Sequence, residues 1–183
     1  MVVVSDDLAW LVAREQIRDC IVRIARAEDR RDGELIRRCY WPDARLDFGI
    51  FRGDFEQYLA WIVPGSPAVP VTQHVLGQTL IALEGEAAVG ETHVLSYHRI
   101  DPGGEARDML IGGRYLDRLE RRHAEWRIVQ RDMLYDWYQD FGTAVDWSKG
   151  LMGTPFSSEH CSGRAAGDAS EKWLSRGTAA WRG

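Results

Sequence analysis

A chain of 183 residues with 45% apolar and 28% charged side chains has enough apolar surface for one core, which excludes a disordered or low-complexity protein. A formal net charge of −5, with the densest basic stretch (Arg118 to Arg122) broken by Leu119 and Glu120, excludes a general nucleic-acid role. Cys20, Cys39 and Cys161 lack CxxC spacing, so neither a disulfide framework nor a zinc site is indicated. No apolar run nears the ~20 residues of a membrane span and no signal-type h-region follows Met1, so the expectation is a cytoplasmic protein with no membrane partner.

In chain order, Asp6-Asp7 and Leu8 to Arg31 predict a helix, in one or two pieces, because Ile17, Cys20, Ile21, Ile24 and Ala25 recur on one face. Gly33 interrupts it, and Glu34 to Tyr40 predicts a second helix stopped at Trp41-Pro42. Ala44 to Phe48 reads as a strand and Phe51-Arg52-Gly53 as a turn. Asp54 then caps a third helix over Phe55 to Val63. After a loop from Pro64 to Pro70 come four long strands: His74 to Leu83, Ala87 to Ile100, Met109 to Arg121 and Glu125 to Trp137. Their turns fall at Glu84-Gly85-Glu86, Asp101 to Gly104 and Arg122-His123-Ala124. Three helices followed by a meander define an α+β fold, the helices covering one face of a curved, mainly antiparallel sheet whose concavity encloses a cavity. From about Asp140 the composition shifts to Gly, Ser and small residues. Residues 1–138 are therefore expected to form the domain, and residues 139–183 a C-terminal extension with a short helix at Ser170 to Arg176.

Three groups of residues could carry chemistry. Glu28 and Asp29 end the first helix beside its apolar stripe, and a carboxylate facing a core must be paired, hydrogen-bonded or raised in pKa; a solvated helix end is the other reading. Thr72-Gln73-His74 opens a strand after the proline-rich loop, and His98 lies on the next strand. A carboxylate beside a histidine fixes the imidazole tautomer and makes a general base near neutral pH. Finally, aromatic residues crowd the elements around the expected cavity, and on the last strand Arg131, Met133, Tyr135 and Trp137 share one face by simple alternation. Glu28, Phe48, Trp61, Met133, Tyr135 and Trp137 are the expected substrate contacts. Arg131, among apolar neighbours, needs an anionic or strongly polar partner, protein or ligand. No metal is expected, because His93 and His98 have an odd separation and point to opposite faces of one strand. No dinucleotide is expected either, because Gly112-Gly113 lies inside a strand and precedes no helix.

Thr72-Gln73-His74-Val75-Leu76-Gly77, the strand end Ser96-Tyr97-His98-Arg99, and Gly112-Gly113-Arg114-Tyr115-Leu116-Asp117-Arg118 with Trp126-Arg127-Ile128 resemble the SnoaL-like proteins. Within that group the chain is similar to the branch of scytalone dehydratase and hexachlorocyclohexane dehydrochlorinase, from roughly residue 10 to residue 138. The resemblance implies an NTF2-like cone-shaped barrel, Asp29 and His74 as the proton-abstracting dyad, His98 as a second active-site histidine, and Arg131 as a pocket arginine that steadies a leaving halide. The chain also departs from the branch. Glu28 and Phe48 stand where the dehydratase holds its water with two tyrosines, and Gly113 and Tyr115 stand where it has a serine and an asparagine, which argues against scytalone itself. The dehydrochlorinase's lysine has no counterpart.

The expectation is thus a cofactor-independent lyase of aromatic-compound catabolism acting on a bulky hydrophobic or aromatic small molecule. His74, oriented by Asp29, removes a proton, and Tyr115, His98 or Arg131 stabilises the leaving group or oxyanion. Dehydration, dehydrohalogenation and retro-aldol loss of formaldehyde all fit. A double-bond isomerase or polyketide-type cyclase would use the same base, and a non-catalytic small-molecule-binding protein is the reading from another class. The resemblance also implies a homotrimer assembled sheet to sheet, with Tyr97 and Leu116 as apolar anchors. The extension carries Trp147, Leu151, Met152, Phe156, Trp173, Leu174 and Trp181, and is expected to lie against a barrel mouth, its own or a neighbour's.

Overall fold

The computed structural model describes residues 4–101, 103–155, 157, 160, 162–165 and 167–171. Helix α1 (Val4–Arg30) is one unbroken rod that buries Ile17, Cys20, Ile21, Ile24 and Ala25, the stripe read from the spacing, and Ala27 beside it. It is followed by α2 (Gly33–Cys39), β1 (Tyr40–Asp47), β2 (Arg52–Asp54), α3 (Phe55–Ile62), β3 (Val71–Glu84), β4 (Ala87–Ile100), β5 (Arg107–Arg122) and β6 (Glu125–Thr143), with a 3-10 turn at Trp147–Lys149. The six strands make one sheet in the order β2-β1-β6-β5-β4-β3, antiparallel except where β1 runs parallel to β6. This is the α+β, NTF2-like architecture, with helices packed on a curved sheet that stays open, β2 and β3 forming its edges.

The core lies between the helices and the concave face, where Ile17, Ile24, Ile36, Tyr40, Phe55, Tyr58, Leu119 and Ile128 are almost fully buried. Each such side chain contributes about 1.5–3 kcal/mol relative to exposure. The entry angle of α3 is fixed by a capping box. Asp54 Oδ1 accepts from the Gln57 N–H (2.9 Å), and Gln57 Oε1 accepts from the Asp54 N–H (3.0 Å). That box points Tyr58 and Trp61 of α3 at the sheet.

Several local expectations shift. The second helix ends at Cys39 and the chain enters β1 at once. Pro42 is tolerated there because it falls where the register against β6 is irregular, between Tyr40 and Arg45. The turn expected around Arg52 is the short strand β2, paired with β1. β6 continues past Trp137 to Thr143, pairing Asp140 with Met109 and Thr143 with Arg107, its end hidden by a polar, glycine-containing composition. In the extension Trp147, Leu151 and Met152 are 48%, 53% and 96% exposed, so their own chain leaves much of them uncovered. Cys161, Phe156, Trp173, Leu174, Trp181 and most of the helix expected at Ser170 to Arg176 lie outside the described residues. Cys20 and Cys39 are buried free thiols, Cys20 donating to the Cys39 carbonyl at 3.4 Å. Among the described residues no helix is long and apolar enough to cross a membrane.

Candidate active site

The site begins at the C-terminus of α1. Arg31 takes a left-handed conformation (φ 53°), its N–H donating to Glu28 O and the Asp32 N–H to Ala27 O, a Schellman closure made without glycine. The closure leaves Glu28 and Asp29 facing the sheet. Asp29 meets the edge strand β3 and holds one residue of it twice: Oδ2 accepts the His74 main-chain N–H (3.0 Å) and Oδ1 accepts His74 Nδ1–H (2.7 Å). The first contact satisfies a donor on the unpaired side of an edge strand. The second fixes the tautomer, because a carboxylate only accepts; Nδ1 carries the proton and Nε2 keeps its lone pair.

Burial pulls the His74 pKa down, but the hydrogen bond to Asp29 and the charges of Glu28 and Asp29 outweigh it, and the net result is above the ordinary value. His98 stands on β4 with its ring centre 6.2 Å from that of His74 and nearly perpendicular to it. Its Nδ1–H donates to the Ser96 carbonyl (3.3 Å), leaving Nε2 as an acceptor. Burial, and then the charge of His74, hold His98 below the ordinary value. The two imidazoles are thereby driven apart in pKa.

Both histidines line a cavity of about 130 Å³ together with Glu28, Phe48, Ile50, Tyr58, Trp61, Ile62, Thr72, Ser96, Ile111, Tyr115, Met133 and Tyr135. Wider clefts of about 590 and 610 Å³ lie along the N-terminal half of α1 and on the outer face of the sheet, and neither contains a histidine or tyrosine. The cavity walls are aromatic. Phe48 stacks on Tyr58 at 5.4 Å and meets Tyr115 edge-on at 6.4 Å, while Phe51 stacks on Trp61 at 5.1 Å. Tyr58 donates a short hydrogen bond (2.5 Å) to Glu28 Oε1, and Tyr135 donates to the Phe48 carbonyl (2.8 Å). Tyr115 has no hydrogen-bond partner among the described residues. Burial first, and then the charge of Glu28, push its pKa well up, so it stays a protonated donor. No group of three or more His, Cys, Asp or Glu side chains among the described residues is placed to hold a metal ion.

Arg131 and Trp137 lie elsewhere. Arg131 is fully buried beneath the cavity, bonded through Nε and Nη2 to Asp117 (2.7 and 2.8 Å), with Nη1 4.0 Å from Glu28 Oε1. The polar partner that it requires is thus a protein carboxylate. Trp137 is turned outward by a bulge: Gly113 pairs with Tyr135 but Gly112 pairs with Trp137, so Asp136 is an extra residue and alternation reverses. Its indole covers Gly112, where a Cβ would come within 2.3 Å of the ring. Tyr58, Thr72 and Ser96 are the polar lining residues that the sequence reading passed over. The signal for Tyr58 was its helical spacing from Phe55 and Trp61 behind the Asp54 cap.

The model of the SnoaL-like domain matches residues 10–132. Uncharacterized proteins of Mycobacterium bovis and Mycobacterium tuberculosis are 26% identical over 128 residues, covering 68% of this chain and 86% of theirs. Among solved structures, a hexachlorocyclohexane dehydrochlorinase of type 2 has a TM-score of 0.67 at 19% identity, covering 82% of this chain and 97% of that one. A candidate scytalone dehydratase from Novosphingobium aromaticivorans has a TM-score of 0.63 at 17% identity, covering 80% and 97%. At these identities the likeness to solved structures shows a common fold.

Proposed function

The chain belongs to the SnoaL-like domain family, and from that premise we propose that it is a cofactor-independent lyase in which His74 Nε2 starts an elimination by taking a proton from the substrate. The observation that carries this reading is the double grip of Asp29 on His74, at 3.0 and 2.7 Å, which leaves the second ring nitrogen free on an aromatic-lined cavity. As the proton passes to Nε2, the electrons of the broken bond form the new double bond and expel the leaving group. Asp29 stabilises the imidazolium, and Tyr115 donates its hydroxyl proton toward the departing oxygen. Each acid–base contribution of this kind is worth about 10²–10⁴ in rate.

The same cavity narrows the substrate class. His74 Nε2, His98 Nε2 and the Glu28 carboxylate are acceptors facing it, so a fitting ligand supplies hydroxyl protons. A dry cavity of about 150 Å³ accommodates benzene, so 130 Å³ takes no more than one aromatic ring at the reacting end. That is narrower than the bulky substrate expected from the aromatic count, and Ile50 and Trp61, 79% and 41% exposed, would hold the remainder at the mouth. Loss of a halide is disfavoured, because Arg131, the cation expected to receive it, is paired with Asp117 and does not line the cavity. Dehydration of a hydroxylated ring compound, or retro-aldol loss of formaldehyde when the abstracted proton comes from a hydroxyl, fits best. A cytoplasmic catabolic role and assembly as a homotrimer belong to the same reading.

The test is a panel of hydroxylated and halogenated single-ring compounds followed by mass spectrometry, with His74→Ala as the control. Products lighter by water or formaldehyde, absent with the variant, support the reading. Undiminished turnover by the variant overturns it, and release of halide alone overturns the preference for dehydration or formaldehyde loss.

A further inference from the structure

A helix ends with its last carbonyls lacking helical partners. In α1 two of them are closed locally, Glu28 O by the Arg31 N–H (3.1 Å) and Ala27 O by the Asp32 N–H (2.8 Å). The two that follow are closed from the far end of the chain. Arg164, 135 residues away, donates through Nη1 to the Asp29 carbonyl (3.2 Å), and the Ala165 N–H donates to the Arg30 carbonyl (3.0 Å). The other arm of the same guanidinium, Nη2, donates to the carbonyl of Pro70 (2.6 Å), the residue just before β3. A single side chain therefore ties the helix end that carries Asp29 to the strand start that carries His74.

The segment around Arg164 is itself anchored to α1. Arg30 Nε pairs with Asp168 Oδ2 at 2.9 Å, and Arg26 Nη2 reaches Ser170 Oγ (3.0 Å) and Glu171 Oε1 (2.8 Å). Asp168 Oδ2 also accepts the Gly163 N–H (3.0 Å), closing the loop that presents Arg164. Burial raises the Asp168 pKa, but its hydrogen bonds from Ser170 and Gly163 and the charge of Arg30 hold it at about 2, so this anchor stays charged over the physiological range. The residues on the far side of these contacts, Gly163 to Glu171, lie beyond the stretch that matches the SnoaL-like domain, residues 10–132.

We propose that Arg164 is a positioning residue for the Asp29–His74 dyad: by bridging the Asp29 and Pro70 carbonyls it sets the distance between α1 and β3, so the C-terminal extension is part of the catalytic apparatus. The proposal rests on the dyad's role given above. Its geometry suits an arginine better than a lysine, since a planar guanidinium serves two carbonyls in fixed directions whereas lysine presents a point charge that can reach one of them.

The experiment is NMR titration of the His74 ring in the wild type, Arg164→Ala and Arg164→Lys, needing no substrate, alongside steady-state kinetics on whichever panel compound is turned over. In Arg164→Ala the His74 titration moves down toward the ordinary histidine value, because the Asp29 contact that holds the proton loosens. kcat falls about 10- to 100-fold, the scale of a misplacement near 1 Å, with KM little changed, and Arg164→Lys recovers part of both. If Arg164→Ala does not fold, Arg164→Lys carries the same comparison. A His74 titration unchanged from wild type in a folded variant overturns the proposal. Full turnover by His74→Ala would instead sink the dyad's role, while the titration would still report on positioning, so the two failures are distinguishable.

Discussion

Arg131 lies under Tyr115, its guanidinium carbon 4.2 Å from the ring centre, and never reaches the cavity that Tyr115 lines. Both its Nε and Nη2 are engaged by Asp117, so the pair forms the electrostatic floor of the site. Removing one partner of a buried ion pair strands the other and costs about 3–5 kcal/mol, whereas replacing both with apolar groups is often near neutral. Arg131→Met is thus expected to lower the urea midpoint severely, and Arg131→Met combined with Asp117→Leu to recover most of the loss. A single variant as stable as the wild type would show that the floor is not what holds the two sheet strands together.

The dyad is expected to fail in a graded way. His74→Ala removes the base and should lower kcat/KM by about 10²-fold or more. Asp29→Asn keeps the size of the side chain but offers its NH2 or its oxygen to His74 Nδ1 with no charge, which frees the tautomer, so a loss of similar scale is expected. Steady-state rates with folding checked by circular dichroism decide this, and wild-type rates in Asp29→Asn would remove the aspartate from the mechanism.

The pH dependence follows from the direction of the His74 shift. His74 must be neutral to accept a proton, and Asp29 and Glu28 hold its pKa above the ordinary 6.5. kcat/KM should therefore rise with pH through a limb lying above 6.5 and then level off. Glu28→Gln removes one of the charges that retain the proton, so the limb should move to lower pH. The same raised pKa favours the folded state below the ordinary value, a contribution lost as pH climbs through the folded-state pKa. A limb below 6.5, or one indifferent to Glu28→Gln, contradicts the assignment.

Tyr115 and Glu28 should separate kinetically. Tyr115 lines the cavity and has no hydrogen-bond partner among the described residues, and loss of one such donor to developing charge costs about 10²-fold in kcat. Tyr115→Phe should do this at nearly constant KM. Glu28→Gln weakens an acceptor for a substrate hydroxyl, so its main effect should be a higher KM. Equal effects on both constants from both variants would refute the division of roles.

The legible parts of the fold and site were those written in local pattern. The apolar stripe of α1, the Asp54 cap and the hairpin turns each depend on residues close in sequence, whereas periodicity alone places Glu28 and Asp29 beside the stripe and leaves a solvated helix end open. Positions fixed by contacts across the sheet were not legible. Arg131 meets Asp117 through a cross-strand pairing that alternation along β6 does not reveal. Simple alternation puts Trp137 on the inner face, because nothing in Tyr135-Asp136-Trp137 announces a bulge. The Glu28–Tyr58 bond joins two helices 30 residues apart. The ties of Arg164 to Asp29 and Pro70 were invisible for the same reason, since they cross almost the whole chain.

The outer face of the sheet presents Val75, Leu80, Val89, Leu95 and Leu134 at 54%, 70%, 52%, 39% and 39% exposure. Charged residues stand among them, including Glu91, Arg114 and Asp136, where Arg114 pairs with both carboxylates at 3.6 and 3.2 Å. An apolar patch rimmed by charge on a sheet face is the composition of a protein interface rather than of a solvated surface. Three copies joined sheet to sheet would cover it, and closed cyclic symmetry leaves no unsatisfied face to grow a fibre. Light scattering at micromolar concentration should give a mass three times the 20.8 kDa of the chain. Leu80→Asp, which places a charge at the most exposed of these positions, should shift the mass toward the monomer while leaving the cavity residues in place. A monomer mass for the wild type contradicts the trimer, and a trimer that persists in Leu80→Asp moves the interface off this face.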